Sequence, residues 1–152
     1  MTLYLVRHAK AGSRSKWEGP DDRRPLSKPG RRQAIASADA IADAYPTRIV
    51  TSPYLRCRQT IEPIAGRAGV GIDLADALAE GAPLDDSLVL LDKVIAETAV
   101  LCTHGDVMGN LLLHFRSQGV PLDDDRMEKG SIWVLDVIDD AVVAGRYLSP
   151  QR

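Results

Sequence analysis

Four short apolar runs punctuate this chain, and most are followed by a stretch with helical periodicity. Residues 2–6 form the first run, long enough for a buried strand and too short for a helix. Residues 48–51, 71–74 and 98–102 repeat the pattern. Between the first two runs, Ala34, Ile35, Ala38, Ile41, Ala42 and Tyr45 recur at helical spacing. Ser27 is the candidate N-cap of that helix, Pro29 falls in its first turn and Pro46 closes it. Ser52-Pro53 reads as an N-cap and N1 pair for a second helix carrying Leu55, Thr60, Ile64 and Ala65. That helix should stop near Gly66 to Gly69, and Pro63 inside it predicts a kink or an early break. Leu88, Leu91, Val94 and Ile95 give a short amphipathic third helix, and Asp106 is placed to cap a fourth running from Val107 towards Phe115. Ile132 to Ile138 and Val142 to Tyr147 flank Asp139-Asp140 and read as a hairpin. Residues 10–28, 75–85 and 117–130 are polar loops.

Alternation of strand and helix specifies an α/β fold, expected here as a three-layer α/β/α sandwich. Its central sheet would be mostly parallel, with the closing hairpin as an antiparallel edge. Sheets of this kind bind ligands outside the C-terminal ends of their strands. Two of the apolar runs end in histidine. Leu3-Tyr4-Leu5-Val6 leads into Arg7-His8, and Ala99-Val100-Leu101-Cys102 leads into Thr103-His104-Gly105-Asp106. Two histidines and an arginine at one sheet edge point to a phosphate site that contains a nucleophile.

Composition narrows the reading further. The 152 residues suit a single domain, 1–152, and an apolar fraction of 45% is that of a globular chain. A net charge of −2 gives no broad attraction to nucleic acid, so no nucleic-acid partner is expected. No apolar run approaches the ~20 residues that cross a bilayer, and the first is too short for a signal peptide. A cytoplasmic location without a membrane partner is therefore expected. Cys57 and Cys102 are read as reduced, and neither has CxxC spacing. Nothing in the pattern specifies an oligomer.

Phosphoryl transfer needs groups that hold and spread negative charge. Arginine suits this because its planar fork pairs bidentately with phosphate oxygens. Arg7 adjoins His8, and Arg56 falls in the first turn of the second helix, where free N–H groups also favour an anion. Neutral imidazole is a competent nucleophile towards phosphorus. His8 would attack, and His104 would donate to the transferring oxygens. A poor leaving group requires a general acid, and Glu80 is the best-placed carboxylate, ahead of Asp76 and Asp85. A catalytic pair of this kind predicts a bell-shaped pH profile. Ser52 is read as a helix cap before a phosphate contact. Lys10, Ser13, Arg14 and Lys16 form a basic stretch that would take a second anionic group of the substrate. His114, Arg31, Arg32, Arg58 and Arg67 are read as packing or solvated groups.

Other chemistries fit less well. A Cys-based phosphatase needs an arginine six positions after its cysteine, whereas Pro63 and Met108 stand there. The glycines of residues 66–71 lack dinucleotide spacing, and no Walker-type loop occurs. Asp123-Asp124-Asp125 reads as a solvated turn. His8 and His104 have no carboxylate or cysteine spaced as a clear third ligand, so neither metal nor cofactor is expected.

Several stretches together resemble the histidine phosphatase superfamily, also called phosphoglycerate mutase-like. Arg7-His8-Ala9 is similar to its Arg-His-Gly signature, with Ala in place of Gly. Arg24-Pro25-Leu26-Ser27-Lys28-Pro29-Gly30-Arg31-Arg32-Gln33-Ala34 resembles a second family stretch. Ser52-Pro53-Tyr54-Leu55-Arg56-Cys57-Arg58-Gln59-Thr60 resembles a third, and Thr103-His104-Gly105 the second histidine motif. The resemblance implies His8 as nucleophile, Arg7, Arg56 and His104 as the phosphate pocket, and Glu80 as proton donor. The chain leaves little room for the inserted segment that covers the site in longer members. It is therefore similar to the short SixA-type phosphohistidine phosphatases, which implies a phosphorylated protein as substrate. The Arg-His-Ala-Lys-Ala-Gly form also resembles the phosphatase-like domain that follows Nudix domains in some actinobacterial nucleotide-sanitising proteins. A nucleotide or another small phosphate ester is thus the alternative substrate, and a silent phosphate-binding module the alternative function.

Overall fold

Side-chain alternation along the strands creates two apolar layers, one on each face of a six-stranded sheet. In the computed structural model, which describes residues 1–150, the strands are β1 (Thr2–Arg7), β2 (Arg48–Thr51), β3 (Ile72–Leu74), β4 (Ala99–Thr103), β5 (Ile132–Ile138) and β6 (Ala141–Leu148). The helices are α1 (Lys28–Ala40), α2 (Leu55–Ala68), α3 (Leu84–Val94) and α4 (Gly105–Ser117). Leu3, Leu5, Val50, Leu101, Trp133 and Leu135 pack with Leu91, Val94, Leu111 and Phe115 of α3 and α4. Their neighbours Val6, Ile49, Val100, Cys102, Ile132 and Val134 pack with Ala38, Cys57, Ile61 and Ile64 of α1 and α2. A period of two along each strand thus covers both faces, which gives the expected three layers.

The strand order is β3-β2-β4-β1-β5-β6. The first four are mutually parallel, and β5 and β6 run antiparallel at one edge. Asp139 and Asp140 take positive φ of 50° and 59° in the two-residue turn of the closing hairpin. Right-handed strand twist favours that mirror-image turn, and Asp tolerates it better than most side chains. β1 and β4 are adjacent and in register, with Arg7 opposite Thr103, so His8 and His104 leave the sheet side by side.

Helix ends repay comparison with the sequence. Ser27 caps α1 as expected, its hydroxyl accepting from Gly30 N–H at 3.2 Å. Tyr45 does not join that helix. α1 ends at Ala40, and Tyr45 is exposed with φ of 47°. Pro63 does not break α2, which continues to Ala68. The buried Ile61, Ile64 and Ala65 hold the helix on its inner side, while Pro63 sits on a partly exposed side. Ser52 is not the cap of α2, because Tyr54 occupies that place without a side-chain cap bond. Asp106 is not the cap of α4 either: it lies in the first turn, one residue beyond Gly105. Two 3₁₀ turns, Asp21–Arg23 and Asp76–Leu78, interrupt stretches read as plain loop.

Candidate active site

The parallel strand ends deliver the expected histidines into one pocket of about 410 Å³. Its lining includes Arg7, His8, Arg14, Arg24, Glu80, His104, Asp106 and Lys129. A pocket of similar volume between α1 and α2 is walled mainly by apolar groups such as Ala38, Ile41 and Ile64 and lacks convergent charge.

His8 is 6% exposed and its backbone is fixed on both sides. His8 N–H donates to Thr103 O at 3.0 Å, and Ala9 N–H donates to Thr60 Oγ1 at 2.9 Å. Thr60 Oγ1 in turn donates to Arg56 O one helical turn earlier. The ring places Nδ1 at 2.8 Å from Ala9 O. A carbonyl only accepts, so Nδ1 carries the proton and Nε2 keeps its lone pair. Burial pushes the His8 pKa down from 6.5 to about 3; the Ala9 carbonyl opposes this, and the charges of His104, Arg56 and Arg7 reinforce it. The imidazole is therefore neutral across the range where an ordinary histidine titrates, and the acid limb expected from this residue moves towards pH 3.

His104 faces His8 edge-on, with ring centroids 5.3 Å apart. Ser52 Oγ lies 2.9 Å from His104 Nε2 and also accepts from Tyr54 N–H, so its own hydrogen is free for Nε2. With the Ser52 hydroxyl as donor, the ring proton sits on Nδ1. Ser52, which the sequence marks as a helix cap, is used instead to orient a histidine. Cys57 Sγ is 3.5 Å from the same Nε2.

Arg7 lies flat beneath the start of α4. Its Nη1 donates to Met127 O at 2.6 Å. A Cβ at Gly105 would sit 2.7 Å from Arg7 Nη2 and 2.8 Å from its central carbon, so only glycine admits the guanidinium there. Arg7 Nε, Arg56 Nε and His104 Nδ1 are buried without a hydrogen-bond partner among the described residues. Such donors are costly unless an acceptor reaches them. Arg7, Arg56 and His104 all act electrostatically on His8, so the three stand near its ring.

Arg56 is fully buried and does not line the open pocket. Its Nη1 donates to Asp21 O at 2.8 Å and its Nη2 to Asp21 Oδ2 at 3.1 Å. The Tyr54 ring lies 4.9 Å below it. Asp21 also accepts from Arg24 Nε at 3.1 Å, and Arg24 Nη1 donates to Gly12 O at 2.6 Å. Burial pushes the Asp21 carboxyl up, but bonds to Arg24 and Arg56 outweigh this and hold it below the usual range. Sequence reasoning does not single out Asp21 or Arg24 for the site. Arg24 stands only inside a resemblance motif, and Asp21 meets Arg56 across 35 residues of sequence.

Glu80 lines the pocket as expected, whereas Asp76 and Asp85 are outside its lining. Its carboxylate is 3.5 Å from Arg14 Nη2 and 3.6 Å from Arg56 Nη2. The loop that carries it is tied down twice. Thr103 Oγ1 donates to Leu78 O at 2.6 Å, and Gly81 N–H donates to Asp106 Oδ2 at 2.7 Å. Of the basic stretch, Arg14 reaches the pocket wall and Lys16 does not. His114 is half-buried against Phe115, and Arg31, Arg32, Arg58 and Arg67 are exposed. Cys57 and Cys102 are both free and buried. Among the described residues no group of three His, Cys, Asp or Glu is placed to hold a metal ion, and no helix is long and apolar enough to cross a membrane.

Comparison with known proteins agrees with this geometry. The model of the histidine phosphatase superfamily, branch 1, matches residues 3–83. The 8-oxo-(d)GTP phosphatase of Mycolicibacterium smegmatis is 34% identical over 155 residues, a match that covers 98% of this chain and 48% of that protein. The chain thus spans about half the length of this curated relative. The crystal structure of the protein assigned as phosphohistidine phosphatase SixA from Agrobacterium tumefaciens superposes with a TM-score of 0.76 at 26% identity, covering 98% of this chain and 97% of that one. The protein histidine phosphatase SixA complexed with tungstate shares the fold, with a TM-score of 0.77 at 17% identity over 99% of this chain and 96% of that one.

Proposed function

This chain belongs to the histidine phosphatase superfamily and stands among its phosphatase-type hydrolases; on that premise we propose that it cleaves phosphoryl groups through a phosphohistidine formed on His8, in a single domain spanning 1–152. The observation that carries the reading is a histidine held neutral with Arg7, Arg56 and His104 close enough to act on it, while Arg7 Nε, Arg56 Nε and His104 Nδ1 are buried without a partner among the described residues. His8 Nε2 attacks phosphorus as the bond to the leaving atom breaks, an ester oxygen or the imidazole nitrogen of a substrate phosphohistidine. Arg7, Arg56 and His104 take up charge on the phosphoryl oxygens. Glu80 gives its proton to that leaving oxygen or nitrogen. Water then attacks the phosphohistidine, Glu80 takes back a proton, the P–N bond breaks and inorganic phosphate departs. No step needs a metal.

For the substrate, a protein-borne phosphohistidine is supported by the likeness to SixA structures. A nucleotide or another small phosphate ester is favoured by a specific observation, the 34% identity to a nucleotide phosphatase across nearly the whole chain. Phosphate release from an aryl phosphate tests the chemistry. The wild-type protein should release phosphate and a folded His8→Ala variant should not; equal release by both would remove His8 as the nucleophile.

A further inference from the structure

Lys129 stands at the pocket mouth with cations around it and no carboxylate for itself. Burial pushes its pKa down, and the charges of Arg7, Arg24, Arg14 and Lys10 add to the effect. The carboxylates nearby are already engaged. Asp21 holds Arg24 and Arg56, Glu80 faces Arg14 and Arg56, and Asp106 accepts from Gly81 and Val107. The neighbouring Glu128 turns away to accept from Tyr147 at 3.3 Å. Lys129 makes no hydrogen bond or ion pair among the described residues.

The backbone beneath Lys129 is fixed to the nucleophile. Ser131 N–H donates to Glu128 O at 2.9 Å, which closes a turn around Lys129 and Gly130. Gly130 takes a φ of +83°, which a turn of this kind demands of its third residue. Gly130 N–H is shared between Arg7 O at 3.2 Å and His8 O at 3.0 Å. The lysine is thus rooted beside His8, not carried on the long first loop. The transferring phosphoryl already has Arg7, Arg56 and His104. An additional unpaired ammonium at the mouth answers to an anion beyond that phosphoryl.

We propose that Lys129 binds the phosphate adjacent to the one transferred, so that the preferred substrate carries a chain of two or more phosphates, as a nucleoside diphosphate or triphosphate does. This rests on the phosphatase reading of the pocket. Lys129 is a binding residue for that chain and takes no part in bond cleavage.

Calorimetric titration with inorganic phosphate and with pyrophosphate, at low salt, tests the proposal. Wild-type protein should bind pyrophosphate about tenfold more tightly than phosphate, as a charge-assisted contact at a partly open site provides. Lys129→Met, folded by circular dichroism, should lose most of that ratio, and Lys129→Arg should keep it. Lys93→Met, which removes a charge on α3 outside the pocket lining, should leave it unchanged. An unaltered ratio in Lys129→Met, or equal binding of both anions by the wild type, overturns the role of Lys129 while phosphate binding upholds the pocket. Failure of phosphate itself to bind overturns the phosphatase reading and this inference together. Wild-type turnover of a phosphohistidine protein that falls in Lys129→Met, with nucleoside diphosphates untouched, would likewise overturn it.

Discussion

The strand ends and the loops around them contribute to the pocket in different ways. Arg7, His8, Thr103 and His104 emerge from two paired central strands, are buried or half-buried, and are held by backbone bonds such as His8 N–H to Thr103 O. Asp21, Glu80, Arg14 and Lys129 come from turns and loops and keep substantial exposure, and the first three meet through side-chain charge. Strand register fixes the sheet-edge groups, and the proposed chemistry rests on them. The loops hold charges of both signs around the pocket. Arg56 belongs to neither class: a buried helix residue whose terminal nitrogens are tied to the loop by Asp21.

Damage at the sheet edge should cost most. His8→Ala should lower turnover by about 10³-fold or more, since the nucleophile has no substitute. Arg56→Ala should cost about 10²–10³ in rate, as loss of a charge-assisted clamp does. Arg56→Lys should recover only part of it, because an ammonium lacks the fork. Unchanged turnover in Arg56→Ala would exclude it from the site. Gly105→Ala should lower the rate by about 10- to 100-fold with little change in stability, because a Cβ there displaces the Arg7 guanidinium. A crystal structure of that variant with Arg7 unmoved would contradict the explanation.

Acid sensitivity distinguishes the two regions without any loss of charge. The folded His8 resists protonation down to about pH 3, whereas the unfolded chain protonates near 6.5. The unfolded state binds the extra proton in that window, so stability is fully present above about pH 6.5 and falls as pH drops towards 3. As pH falls through this window wild type should lose stability relative to His8→Phe, provided both fold at neutral pH. Parallel pH dependence in the two would show that His8 is not the group responsible. Among the loops the smallest effect belongs to Asp21→Asn. It should change stability by no more than about 1 kcal/mol, because the carboxylate is partly exposed, and alter turnover only a few-fold. A change as large as that of Arg56→Ala would mean that Asp21 and Arg56 act as one unit.

Much of this is legible from local pattern. The strand runs, the Ser27 cap, the hairpin at Asp139-Asp140 and both histidine-bearing strand ends follow from short-range rules about burial, capping and turns. The misreadings share a cause: a residue whose local preference is overridden by a distant partner. Ser52 looks like a cap and is instead bound to His104, 52 residues away. Pro63 looks like a breaker, yet packing on the opposite side of α2 carries the helix through it. Asp106 looks like a cap and instead anchors the Glu80 loop through Gly81. Asp21, Arg24 and Lys129 carry no local signal, since a charge in a polar loop has the same appearance whether it is solvated or faces a pocket. Glu80 is legible only because the chemistry requires a carboxylate after the third strand.

The proposed function stands on a covalent bond between His8 and the transferred phosphoryl group. Rapid quenching of wild-type protein during turnover of an aryl phosphate, followed by mass mapping under alkaline conditions, tests it directly. An acid-labile, base-stable phosphoryl group on the peptide that contains His8, absent from His8→Ala, is the predicted result. Turnover at full rate with no phosphopeptide, or with the label on another residue, would contradict the account.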